Sequence, residues 1–317
     1  MMRISPLDTV SRPSRRGLLA GLLAISGCGL FSGPDRRGGD KASPDGSTLT
    51  EHSLDGRRYL LYHPRPADPA PMPLILALHG RGADGRYLAQ RMELARFGPE
   101  FPFVVLIPDG TCSPASDGRS CAWNSGNSIA GLEGGADDVA HLDRLLDAVA
   151  AQAAIDTERV FGFGFSNGAK MAYRLAAERS ARLRGIGVIG GSIGGRATSD
   201  HPEHRNDPAA FRASPVSVFH LHGLDDTVVP PFPDDDAGNG KGHTELGLRQ
   251  SIGAWIRHNR TRPALPDRLP PDTLWTSTGG RRGTVVQVRL ISGRDHDWTR
   301  DDLEAVLAFF GECGRRR

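Results

Sequence analysis

Six stretches of this chain are nearly unbroken apolar runs, and this constrains its fold more than any other feature. They are PLILALHG (73–80), FVVLIPDG (103–110), RVFGFGF (159–165), GIGVIGG (185–191), VSVFHLHG (216–223) and TVVQVRLI (284–291). Strands that are solvated on one face alternate apolar with polar residues. Unbroken runs belong to strands covered on both faces, as in parallel sheets. Between the runs lie segments of helical period. Asp137 to Gln152 places Val139, Leu142, Leu145, Leu146 and Val149 on one face, and Gly168 to Glu178 does the same with Ala169, Ala172, Leu175 and Ala176. Thr244 to Asn259 and Asp301 to Phe310 read as further helices, and RRYLLYHP (57–64) as an edge strand ended by Pro64. Strands alternating with helices predict an α/β fold: a doubly wound, mostly parallel sheet with helices on both faces.

Such sheets place their chemistry at the carboxyl ends of strands. Two G-x-S-x-G sequences lie there, around Ser166 in FGFGFSNGAK and around Ser192 in GGSIG. With 40 Gly in 317 residues the pattern alone is weak. Context separates them. Ser166 stands between a strand and a run of good helix formers, which is what a nucleophile elbow requires. Ser192 is followed by GGRATSDHPEH, which has no helical period. A serine nucleophile needs a base held by a third group. On an elbow the chain order is Ser, then Asp or Glu, then His. HLHGLDDTVVP offers Asp225 and Asp226 in the turn after one strand, and ISGRDHDW offers His296 after the last. Donors to a developing oxyanion are expected from the backbone N–H of Asn167 and from the Gly-rich turn in LHGRGADG, at Arg81 with Gly82 next.

That turn supports a rival reading. Gly80-x-Gly82-x-x-Gly85 follows a strand and precedes the helix-like RYLAQRMELARF, and Asp109 ends the next strand. This is the dinucleotide-binding pattern, and it points to an oxidoreductase. It leaves Ser166, Asp226 and His296 without a role, and Asp109 has its own structural reason in a Pro-Asp-Gly turn.

Hydrophobic content of 38% and charged content of 24% fit a folded globular protein. Net charge is +2, and residues 1–28 hold four Arg against one Asp, so the remainder is near −1. That excludes a broad nucleic-acid face. Arg15-Arg16 precede an apolar stretch from Gly17 to Gly27, too short to span a bilayer. Residues 1–28 read as an export signal of twin-arginine type, ending in Ile25-Ser26-Gly27-Cys28. That ending resembles a bacterial lipobox with Cys28 lipidated, which makes the protein a cell-envelope lipoprotein with the membrane as a partner. Residues 29–50 read as a flexible tether and 51–317 as the catalytic domain. Export permits disulfides. Cys112 and Cys121 lie close in TCSPASDGRSC, and either could pair with Cys313 instead. No C-x-x-C spacing marks a metal site.

In order, LALHGRGADG, IPDG followed by CAWN, DDVAHLDRLLD, IDTERVFGFGFSNGAKMAYRLAAE, HLHGLDDTVVP and GRDHDW resemble the polyhydroxybutyrate depolymerase / feruloyl and acetylxylan esterase-like family of secreted α/β hydrolases. The resemblance spans roughly Leu54 to Phe310. It implies an α/β-hydrolase fold with Ser166 as nucleophile, Asp226 rather than Asp225 as acid, and His296 as base. It implies hydrolysis of polyhydroxyalkanoate, feruloyl or acetyl-polysaccharide esters through an acyl-enzyme, with no metal or cofactor. Two departures stand out. Ala169 and Lys170 follow the serine motif where the family has Gly and an apolar residue. Arg294, Asp295 and Asp297 surround His296, and no proline follows Trp298. A more charged cleft is expected from them. Trp123 and Trp298 are candidates either for the substrate pocket or for ordinary packing. A non-catalytic envelope-binding lipoprotein and a peptidase are the other readings compatible with this fold.

Overall fold

A computed structural model of the chain describes residues 41–42, 46–65, 70–94, 103–113, 120–126, 136–194, 213–232 and 247–315. The chain divides into two compact units, residues 1–37 and 38–317, and everything described belongs to the second. The predicted export signal and Cys28 lie outside the described residues.

Twelve strands are described: β1 (Lys41–Ala42), β2 (Thr48–Leu54), β3 (Arg57–His63), β4 (Met72–Leu78), β5 (Val104–Pro108), β6 (Thr111–Cys112), β7 (Cys121–Ala122), β8 (Ile155–Phe165), β9 (Gly185–Ile189), β10 (Ser217–Gly223), β11 (Leu274–Ser277) and β12 (Val286–Ile291). The helices are α1 (Gly85–Arg91), α2 (Asp138–Gln152), α3 (Asn167–Glu178), α4 (Leu248–Asn259) and α5 (Arg300–Arg315). Ten strands form one sheet in the order β1-β2-β3-β5-β4-β8-β9-β10-β12-β11. Its centre, β5-β4-β8-β9-β10-β12, is parallel throughout. The flanks β1-β2-β3 and β11 are antiparallel.

Strand geometry explains why the apolar runs are unbroken. Successive side chains point to opposite faces, and each face has its own core. Leu74, Leu76 and Leu78 of β4 face one way with Val104 and Leu106 of β5. They pack with Leu142, Leu145 and Val149 of α2, Met171, Ala172 and Leu175 of α3, and Trp255 of α4. Ile75 and Ala77 face the other way with Val105 and Ile107, joining Leu88 of α1 and Leu303, Val306, Phe309 and Phe310 of α5. Each such side chain contributes roughly 1.5–3 kcal/mol by leaving water, so neither face tolerates a polar residue without a partner.

The predicted edge strand at 57–64 is interior: β3 pairs with β2 on one side and β5 on the other. The cause is a two-residue turn at Asp55-Gly56 with φ of 53° and 76°. Asp-Gly favours this hairpin conformation, and it folds Thr48–Leu54 back along β3. Lys41, Ala42 and Thr48–Thr50, expected in the tether, are accordingly strand residues. Arg57, at the start of β3, donates to the fully buried Asp138 of α2 at 2.6 Å. This joins the hairpin to the helical layer.

Candidate active site

The sharpest turn in the parallel sheet is at Ser166, between β8 and α3. Its φ of 54° and ψ of −118° lie outside the regions a serine ordinarily adopts. The flanking glycines make the turn sterically possible. A Cβ on Gly168 would sit 2.1 Å from Leu78 O, and one on Gly164 2.3 Å from Gly168 O. No side chain fits at either place. The turn lifts the hydroxyl above the carboxyl ends of β4, β8 and β10.

His296 and Asp226 arrive at this point from the loops after β12 and β10. Ser166 Oγ lies 2.8 Å from His296 Nε2, and His296 Nδ1 lies 2.7 Å from Asp226 Oδ2. The other carboxylate oxygen of Asp226 accepts from the N–H groups of Val228 at 2.9 Å and Val229 at 2.7 Å. Burial works against the Asp226 charge. Hydrogen bonds from His222, His296 and Val229 N–H outweigh it, and the carboxyl is held well below its ordinary range. A carboxylate there requires Nδ1 of His296 to carry hydrogen, so Nε2 is free to accept the serine O–H. An arrangement of this kind can take the hydroxyl proton and stabilise the imidazolium that results. Asp225, the other candidate acid, is exposed, whereas Asp226 is buried. Ser192 is buried too, and its Gly190 lines the His296 ring, the Cβ position lying 3.4 Å from it.

The two turns proposed to supply oxyanion donors are tied together by residues 121–123. Gly82 N–H donates to Cys121 O at 2.9 Å and Cys121 N–H to Ala83 O at 3.1 Å. The alternative donor Gly82 is therefore engaged. Gly80 borders the serine, its Cβ position 3.5 Å from Ser166 Cβ. Asn167, the first residue of α3, holds Trp123 from both sides. Its Oδ1 accepts from Trp123 N at 2.7 Å and its Nδ2 donates to Trp123 O at 3.1 Å. Trp123 Nε1 donates to His79 O at 3.0 Å. His79 is buried; it accepts from Gly110 N–H through Nε2 at 2.9 Å and bonds Gly80 O through Nδ1 at 2.8 Å. Sequence reasoning missed Asn167's side chain and His79 as supports.

Both tryptophans are packed in the interior. Trp123 is fully buried, and Trp298 packs edge-on against Phe163 with Arg91 over its other side. The charges around His296 are also largely spent. Arg294 pairs with Asp302 at 2.6 Å and Asp297 with Arg91 at 2.7 Å. Lys170 is buried in α3. Arg294 and Asp297 tie the histidine loop to α5 and α1, while Asp295 is exposed. Cys112 and Cys121 form a disulfide across the β6-β7 pair, and Cys313 is buried outside it. Asp109 lies near both sulfurs, but disulfide sulfurs offer no thiolate to a metal. Asp109 is used otherwise as well. It accepts from Gly85 N–H at 2.7 Å and from Arg58 at 2.8 Å, while Asp84 caps α1 by accepting from Tyr87 N–H. The acid and helix terminus of the dinucleotide pattern therefore satisfy one another and Arg58. Among the described residues no helix is long and apolar enough to cross a membrane.

Comparison with known proteins agrees with this geometry. Residues 57–230 match the family model described as esterase PHB depolymerase. The chain is 28% identical to feruloyl esterase D of Neurospora crassa over 89% of its length and 84% of that protein's. It is 29% identical to feruloyl esterase C of Emericella nidulans, over 58% of its length and 60% of that protein's. The acetyl xylan esterase structure from Aspergillus awamori superposes with a TM-score of 0.58 at 15% identity, over 83% of this chain and 98% of that one, and so shares the fold. With a doubly wound sheet, an elbow serine and a family match over more than half its length, the chain belongs to the esterase PHB depolymerase family of α/β hydrolases and is a carboxylic ester hydrolase.

Proposed function

We propose that the ester is cleaved through an acyl-enzyme on Ser166, with His296 as general base and acid and Asp226 holding the imidazole. The observation that carries this reading is the unbroken line of hydrogen bonds, 2.8 Å and 2.7 Å long, from the elbow hydroxyl to a buried carboxylate. Ser166 Oγ attacks the carbonyl while its proton passes to Nε2. The oxyanion is received by the N–H groups of Arg81 and Asn167. The alcohol leaves with the proton from Nε2, and water repeats the sequence to release the acid. For substrate we propose feruloyl or acetyl esters carried on a polysaccharide, the classes that the names of the similar proteins give. Ser166→Ala is expected to lower hydrolysis of a short p-nitrophenyl ester by at least about 10³-fold with the fold retained. It should also abolish labelling by a fluorophosphonate. Retained turnover or labelling overturns the reading, and a panel of feruloyl, acetyl-xylan, hydroxyalkanoate and peptide substrates tests the class.

Export is proposed with it. Arg15-Arg16 and the apolar Gly17–Gly27 stretch support a signal, and the Cys112–Cys121 disulfide suits an oxidising compartment. Cys28 is proposed as the lipid anchor. Cys28→Ser should move the exported protein from the membrane fraction to the soluble one, and an unchanged distribution excludes the anchor.

A further inference from the structure

Behind Asp226 lies a second line of polar groups that the mechanism above does not use. Alternate residues of a strand share a face, so His220 and His222 of β10 point the same way, and their rings stack with centroids 5.3 Å apart. Tyr173 of α3 reaches them from the neighbouring layer. Tyr173 Oη lies 2.7 Å from His220 Nδ1. His220 Nε2 lies 3.0 Å from His222 Nδ1. His222 Nε2 lies 2.8 Å from Val229 O and 3.3 Å from Asp226 Oδ2. All three side chains are essentially inaccessible to water.

The protons in this line follow from chemistry. A carbonyl oxygen only accepts, so His222 Nε2 must carry hydrogen to meet Val229 O. A neutral His222 then accepts at Nδ1 from His220 Nε2–H, and His220 Nδ1 accepts from the Tyr173 hydroxyl. Every group in this pattern is satisfied. If His222 were an imidazolium, its Nδ1–H would reverse the line. Tyr173 would become the acceptor, and its own O–H would have no partner among the described residues in a dry site, which is costly. The tyrosine therefore sets the direction of the line and keeps His222 neutral. Burial acts in the same sense on His220, which it holds well below its ordinary value.

We propose that His222, locked as the neutral Nε2–H form by His220 and Tyr173, is a positioning residue for Asp226. Its N–H, bonded to Val229 O, also lies 3.3 Å from the oxygen that receives His296. With two backbone N–H groups on the other oxygen, the carboxylate is held from four sides. Because His222 stays neutral, it does not cancel the Asp226 charge, which remains available to the imidazolium that forms on His296. The proposal rests on the assignment of Ser166, His296 and Asp226 above and adds the support behind them. The titratable groups facing His222 are His220 on its own strand and Asp226 in the following turn. Tyr173 lies beyond the first and His296 beyond the second.

Histidine-selective ¹⁵N NMR of the folded domain reads the tautomer without reference to activity. The expected result at pH 8 is the Nε2–H tautomer of His222. The Nδ1–H tautomer overturns the proposal even if Ser166→Ala is inactive. Conversely, active Ser166→Ala with the expected tautomer removes Ser166 as the nucleophile and leaves the tautomer standing. Kinetics then test positioning. His222→Leu should lower kcat roughly tenfold with little change in KM. Removing a donor from Asp226 makes it a stronger acceptor for His296, so the acid limb of the kcat/KM profile should move to higher pH. His222→Gln, which keeps an N–H near Nε2, should restore both towards wild type. Equal impairment of the two variants, or an unmoved acid limb in His222→Leu, reduces His222 to packing and overturns the proposal. Should His222→Leu fail to fold, Tyr173→Phe serves. It removes the hydroxyl that directs the line, so the His222 and His220 signals should lose the single tautomer of wild type, and an unchanged His222 spectrum overturns the proposal.

Discussion

Asn167 shows how much a single side chain can organise when its backbone has a separate task. Its N–H is the proposed oxyanion donor. Its amide oxygen and nitrogen close a two-point clasp on Trp123, whose indole N–H then holds His79 O. One strap therefore fixes the spacing between the α3 terminus and the turn that carries Arg81. A clasp of this sort gains little net stability per hydrogen bond, about 1 kcal/mol, but the rate depends steeply on where the donors sit. Asn167→Ala keeps the backbone N–H and loosens the strap. We expect kcat to fall by roughly ten- to a hundredfold while KM changes little, with a melting temperature within a few degrees of wild type. Unchanged kcat would show that the donors are held by other means. Asp226 obeys the same logic at the other end of the site: its two oxygens are fixed by backbone N–H groups and imidazoles, so orientation and charge are set together.

At the level of elements, the parallel centre of the sheet was readable because burial on both faces leaves a one-dimensional trace. Each of the six apolar runs holds a strand of the central sheet, and α2 and α3 begin within a residue of their predicted starts. Strand ends and chain order confined the candidate site residues, with the resemblance choosing Asp226 over Asp225, and the structure brings Ser166, Asp226 and His296 within hydrogen-bond reach. The antiparallel flank was not readable in the same way. β2 is half-buried and polar, TLTEHSL, and only the Asp55-Gly56 pair announces its hairpin. The two tryptophans were ambiguous because an aromatic beside a motif is equally able to line a pocket or to brace it, and these brace. The Tyr173-His220-His222 line was hidden for a deeper reason. Two histidines at alternate strand positions are visible in HLHG, but their partner comes from α3, whose placement depends on the packed layers. The disulfide belongs here too. Closing so short a loop restrains the unfolded chain by about 2.7 kcal/mol in the chain-entropy model, and it steadies β7, whose Cys121 O anchors the Gly82 N–H.

For the whole molecule, the balance of buried histidines and buried carboxylates sets the response to acid, and the two act in different pH ranges. Asp226 keeps its charge in the folded state below the ordinary carboxylate range. Its contribution is complete above the ordinary carboxyl pKa of about 3.9 and is lost only as pH falls below that value. His141 of α2 works at milder pH. Burial, reinforced by Arg57, lowers it from 6.5 to about 4. Between these two values the unfolded chain holds a proton that the folded chain refuses, so stability must fall as pH falls from about 6.5 to about 4. Below that, this group adds no further loss. The full difference is roughly 3 kcal/mol, a large share of a domain's net stability. His79 and His220, both lowered first by burial, push in the same direction. Urea unfolding of the wild type should therefore lose stability steadily from pH 7 to pH 4.5. In His141→Gln, where the buried position no longer titrates, the loss should be visibly shallower while the remaining slope reflects the other histidines. Parallel stability profiles for the two proteins would mean that His141 takes up its proton without unfolding and plays no part in the acid response.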